Sequence, residues 1–140
     1  MTLGALVDAG AGLDDLNAAI GSLGLPGCHL VAEEVKKRGF RALQVSVKYE
    51  HEHTHRHLSH ILKMIDGSVL NDRQRDLAAR VFRKLAEAEA KVHGTTVETV
   101  HFHEVGAADS IADIVGTAVG LDLLGVERVI ASPVPTGCGT

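Results

Sequence analysis

The chain has 140 residues, 45% of them hydrophobic and 23% charged, the composition of one ordinary globular domain and not of a disordered segment. Fourteen Lys and Arg against 18 Asp and Glu give a formal charge of −4, and aromatic residues make up 3% with no Trp. That balance argues against nucleic acid or an anionic membrane surface as a principal partner, and no apolar run is long enough to span a membrane. The opening Met1-Thr2-Leu3-Gly4 lacks the basic segment of a secretory signal. Two cysteines, Cys28 and Cys138, cannot build a disulfide framework, so a reducing cytoplasm is expected.

Leu3, Leu6 and Val7 form the stripe of a short first helix that Gly10-Ala11-Gly12 ends. Asp14 and Asp15 open a second helix, with Leu16, Ala19, Ile20 and Leu23 on its apolar face. Residues 29–36 read weakly as a strand. The run from Phe40 to Tyr49 alternates apolar and polar residues, the mark of a half-buried strand. Leu58, Ile61, Leu62 and Ile65 then predict a helix that stops at Asp66-Gly67. Asn71 or Asp72 caps the longest helix, whose expected core stripe is Leu77, Val81, Leu85, Ala88 and Val92, widened by Phe82. A strand is expected over Val97–His103, a helix from about Ala108 to Leu124 and a strand around Arg128–Ala131. Helices alternating with strands predict an α/β fold, a small mixed sheet with flanking helices, with α+β as the alternative. Residues 1–140 read as a single domain in which 51–57 is a flexible histidine-rich segment.

Histidine is the outlier of the composition, at nine residues. His51, His53, His55 and His57 fall on every second position, and His60 follows His57 by three, on the same side of the next helix. In an extended strand the four would project from one face; in a loop they could wrap an ion. Neutral imidazole suits nickel, zinc, copper and ferrous iron, and no cysteine lies nearby to favour a thiolate site. The bland alternative is a solvated polar loop. His51-Glu52-His53-Thr54-His55 also matches H-E-x-x-H, but that motif needs a helix, and here an alternating strand precedes it.

The second constellation runs from His101 to Asp113. In a strand His101 and His103 share a face while Phe102 packs on the other. Asp109 and Asp113 are one helical turn apart, on a stripe that Gly116 and Gly120 continue. Carboxylates beside a glycine groove and an H-x-H pair could close a nitrogen and oxygen coordination sphere. The candidate metal ligands are therefore His51, His53, His55, His57, His60, His101, His103, Asp109 and Asp113. His101, His103, Glu104 and Asp109 are the candidate catalytic residues. The structural alternatives are dipole stabilisation by Asp109 and close helix packing at the two glycines. His29 and His93 read as structural.

With these strings in place the chain resembles the LarC family, the nickel-insertion proteins of the lactate racemase cofactor pathway. The resemblance rests on His55-Arg56-His57-Leu58, Ile65-Asp66, Ala86-Glu87-Ala88-Glu89-Ala90 with Val92-His93-Gly94, and above all Val100-His101-Phe102-His103-Glu104-Val105-Gly106 with Asp109-Ser110-Ile111 and Asp113-Ile114-Val115-Gly116. It implies a CTP-dependent nickel insertase of the lyase class, acting on a pyridinium bis-thiocarboxylic acid mononucleotide, with lactate racemase as a possible recipient. It also implies that these residues are an N-terminal portion, inactive alone. A site for CTP, with magnesium or manganese, would then lie outside them. Two other readings stay open: a metal-dependent hydrolase built on His101 and His103 with Glu104 as base, and a non-catalytic metal-binding module.

Overall fold

The structure, a computed structural model, describes residues 1–50, 56–102, 105–135 and 137. Its elements in chain order are α1 (Thr2–Asp8), α2 (Leu13–Gly21), β1 (His29–Lys37), β2 (Phe40–Lys48), β3 (Arg56–His57), α3 (Leu58–Asp66), α4 (Asp72–His93), β4 (His101–Phe102) and α5 (Ala108–Leu123). The mixed helix-and-strand class expected from the sequence is what forms. Among the described residues the strands pair as two separate antiparallel ladders, β1 with β2 and β3 with β4.

Helix α5 is the centre. It buries Ile111, Ala112, Val115, Ala118 and Val119 and contacts α1, α2, α4 and β2. So wide an apolar arc is stable only when neighbouring elements cover it. Its glycines set how near that cover comes. A Cβ on Gly116 would lie 2.9 Å from Leu3 Cδ2, and one on Gly120 would lie 3.0 Å from Leu6 Cδ1. The stripe read as an open groove beside Asp109 and Asp113 is therefore filled by α1. Close packing explains it.

The β1–β2 hairpin pairs His29 with Lys48 through to Lys37 with Phe40. Its two-residue turn, Arg38-Gly39, has φ of 50° and 88°, the doubly left-handed turn whose twist matches the strands. The weakly read strand at 29–36 thus forms in full. Asn17 of α2 clasps its edge: Nδ2 donates to the Leu30 carbonyl at 3.1 Å and Oδ1 accepts from the Leu30 amide at 2.6 Å.

Three sequence expectations are corrected. The buried stripe of α4 is Ala78, Phe82, Ala86 and Ala90, while Val81 and Val92 are exposed. Small side chains let α3 and α5 approach on that face, and of the expected stripe Leu77 and Leu85 flank it, partly buried. Of residues 97–102 only His101–Phe102 are strand; before them, the hydroxyls of Thr95, Thr96 and Thr99 close a turn, and His103 lies outside the described residues. Residues 128–131 form no strand, and Val129 and Ile130 are exposed. The cap of α4 forms as expected, with Asn71 Oδ1 accepting from the Gln74 amide and Gln74 Oε1 from the Asn71 amide.

Backbone proximity makes a sharp contrast between two glycines. A Cβ on Gly4 of α1 would meet the Leu43 carbonyl oxygen at 2.6 Å, whereas one on Gly21 of α2 would meet nothing within 4 Å. Gly4→Ala is expected to destabilise the fold by roughly 1–3 kcal/mol despite its higher helix propensity. Gly21→Ala should stabilise it by about 0.4–1 kcal/mol. Urea unfolding of both variants checks the pair, and two changes of the same sign would contradict this packing.

Candidate metal centre

The ladder between β3 and β4 joins the two histidine patches. Its rungs are Arg56 opposite Phe102 and His57 opposite His101. Side chains alternate across a strand, so the two rungs face opposite ways. Phe102, 1% exposed, packs toward Phe82 of α4 with ring centroids 6.4 Å apart, and Arg56 is buried beside it. That leaves His57 and His101 on the outer side, with ring centroids 4.1 Å apart and planes tilted by 45°. His57 is also the residue before α3, which brings His60 of its first turn to 5.5 Å from the His57 ring, edge to face.

Tautomer follows from one hydrogen bond. His57 Nδ1 lies 3.2 Å from the carbonyl oxygen of Val100. A carbonyl can only accept, so Nδ1 carries a proton and donates it, and in the neutral ring the lone pair is then on Nε2. Metal-ligating histidines are oriented in this way, by a backbone acceptor on the nitrogen that does not bind. The histidines are legible in the sequence; the Val100 carbonyl that orients His57, and the buried Arg56 on the neighbouring rung, are not among the expected site groups. A backbone acceptor leaves no sequence signal; Arg56 left one, as the residue of opposite parity between His55 and His57.

Asp109 stands in the first turn of α5, where its Oδ1 accepts from the Ser110 amide at 2.8 Å. Its negative charge also reaches Cys28. Burial, and secondarily Asp109, push the Cys28 thiol above its ordinary pKa, so it stays protonated and is a poor nucleophile. Asp113 is exposed and lines a shallow groove with Met1, Thr2, Val81, Ile114 and Thr117, a surface without histidine. Among the described residues no three of His, Cys, Asp and Glu gather as an ion-holding group. His51, His53, His55, His103 and Glu104 lie outside the described residues, as do the H-E-x-x-H string and most of the segment 51–57. His29 Nδ1 donates to the Gly27 carbonyl at 2.8 Å. His93 pairs with Glu89 one turn back at 3.2 Å.

A family model described as "Nickel insertion protein" matches residues 1–140. Similar curated proteins include one from Rhodopirellula baltica, 51% identical over 99% of this chain and 35% of its own length, and one from Synechococcus elongatus, 54% identical over 100% and 35%. Both are named "Putative nickel insertion protein". A protein from Desulfitobacterium hafniense, 45% identical over 99% of this chain and 35% of its own, is named pyridinium-3,5-bisthiocarboxylic acid mononucleotide nickel insertion protein. The chain spans about a third of the length of the curated relatives it matches. No solved structure matches it.

The field of Asp109 at Cys28 gives a direct check. Removing that charge in Asp109→Asn should lower the thiol pKa and speed alkylation of Cys28 in the folded protein, with the rise shifted to lower pH. Burial remains in the variant, so the thiol should still titrate above the ordinary range. Iodoacetamide labelling of Cys28 across alkaline pH measures both, and an unchanged profile would show that the charge does not act there.

Proposed function

Because the chain belongs to the nickel insertion protein family, we propose that it is the metal-handling part of an enzyme that inserts nickel into pyridinium-3,5-bisthiocarboxylic acid mononucleotide. Nickel is here the cargo. The observation that supports this reading is the His57–His101 pair, two imidazoles on one rung, one of them with its ligand nitrogen set free by the Val100 carbonyl.

In this proposal His57 Nε2 and His101 take the ion, and His60, beside His57, relays it. His51, His53 and His55 supply capture ligands from the adjoining run, and His103 and Asp109 hold nickel while the organic acceptor takes it. Imidazole is a borderline donor that binds nickel firmly yet exchanges it, whereas the sulfur donors of the acceptor are softer and draw it away. Asp113, on its own groove, is the weakest member of the proposed ligand set. Use of CTP with magnesium or manganese, assignment to the lyases, transfer of the product to lactate racemase and a cytoplasmic setting complete the proposal. The resemblance to the family supports these last elements, with the nucleotide held outside these 140 residues.

Nickel titration by calorimetry tests the pair. The wild-type protein should bind nickel at about pH 7.5 and much more weakly at about pH 5.5, because protonated imidazole has no lone pair to give. His57→Ala and His101→Ala should each lose at least about tenfold in affinity. Equal affinity at the two pH values, or unchanged affinity in both variants, would overturn the assignment.

A further inference from the structure

Among the described residues the β3–β4 ladder has two rungs, and the histidines occupy one of them. The other rung supplies a tether. Arg56 is 9% exposed and its Nη1 donates to the Gly106 carbonyl at 2.9 Å, across 50 residues of sequence. That carbonyl belongs to the turn between β4 and α5, so one guanidinium links β3 to the approach to α5. Gly106 is pressed into the same place: a Cβ there would lie 3.0 Å from Phe102 Cβ and carbonyl oxygen and 3.4 Å from Arg56 Cβ.

We propose that Arg56 is a positioning residue for the histidine pair, holding β3 in the register that sets His57 against His101 without touching the ion itself. Alternation is the reason. A slip of β3 by one residue would exchange the faces of Arg56 and His57, sending the imidazole inward and the guanidinium to the surface. The inner place lies against Phe102 and offers a carbonyl acceptor, which suits a charged donor on a long stem. Arg56 therefore makes the slipped register unfavourable from the side opposite the histidines. Lysine is no substitute, since its ammonium is a compact point charge without the rigid planar fork.

The functional consequence rests on the nickel reading given above; the geometric one does not, and the experiment keeps them apart. Three quantities are measured: the NMR cross-relaxation between the His57 and His101 rings without metal, nickel affinity by calorimetry, and the thermal midpoint. The proteins are wild type, His57→Ala, Arg56→Lys and Arg56→Ala, the last also with added guanidinium. The two Arg56 variants should melt cooperatively, lose the ring-to-ring signal and bind nickel about tenfold more weakly or worse. Guanidinium should restore signal and affinity in Arg56→Ala and do nothing for His57→Ala. A lowered midpoint with the ring signal and affinity intact would overturn the proposal, because the arginine would then serve stability alone. If Arg56→Ala fails to fold, Arg56→Lys decides by the same readouts, and unfolding of both would also overturn it. Should the wild type bind no nickel through the pair while the ring signal still depends on Arg56, the metal reading falls and the positioning role stands.

Discussion

Helix α5 can be central only because neighbouring side chains press directly onto its bare glycine backbone, and the rest of the molecule follows from that closeness. Leu3 and Leu6 fill the space that side chains on Gly116 and Gly120 would need, and α1 in turn reaches the Leu43 carbonyl through Gly4. Packed interiors tolerate little change in volume, so each short distance fixes the next. The position of α5 sets where its first turn begins, and the turn at Gly106 just before it is tied to Arg56. Helix packing at one end of the chain thereby reaches the histidines at the other.

The histidine pair shows how much a small piece of sheet can do. Sequence separates His57 from His101 by the whole of α3 and α4, yet one rung puts their rings in contact. The inner rung is made of buried Phe102 and Arg56, so the outer one has little freedom to drift. Rigid support behind, with one half-buried and one exposed imidazole in front, is the arrangement that a site needing definite geometry requires.

Much of this was legible in the residues. Regular apolar spacing located α2, α3 and α5, Asn71 announced the start of α4, and period-two alternation gave β2. Phe102 was rightly placed opposite His101. What failed did so for identifiable reasons. Alanine carries too weak a hydrophobic signal to reveal that Ala78, Ala86 and Ala90 form the buried stripe of α4. The stretch before His101 was strand-like in composition, but threonine hydroxyls offered its backbone a turn instead. The meeting of the two histidine patches depends on a contact across 43 or more residues, and no local pattern encodes that.

The clasp of Asn17 on Leu30 has a consequence for how the molecule behaves in company. In an antiparallel pair every second residue turns its amide and carbonyl away from its partner strand, and an uncovered row of them is a template for another chain. At Leu30 the side-chain amide of Asn17 occupies both groups, so the row begins already capped. Further along the same outward positions stand Glu34 and Lys36, whose charges oppose a flat, apolar strand laid alongside. The hairpin is thus guarded against edge-to-edge growth into aggregates, by one neutral amide where the strand is apolar and by charge where it reaches the solvent.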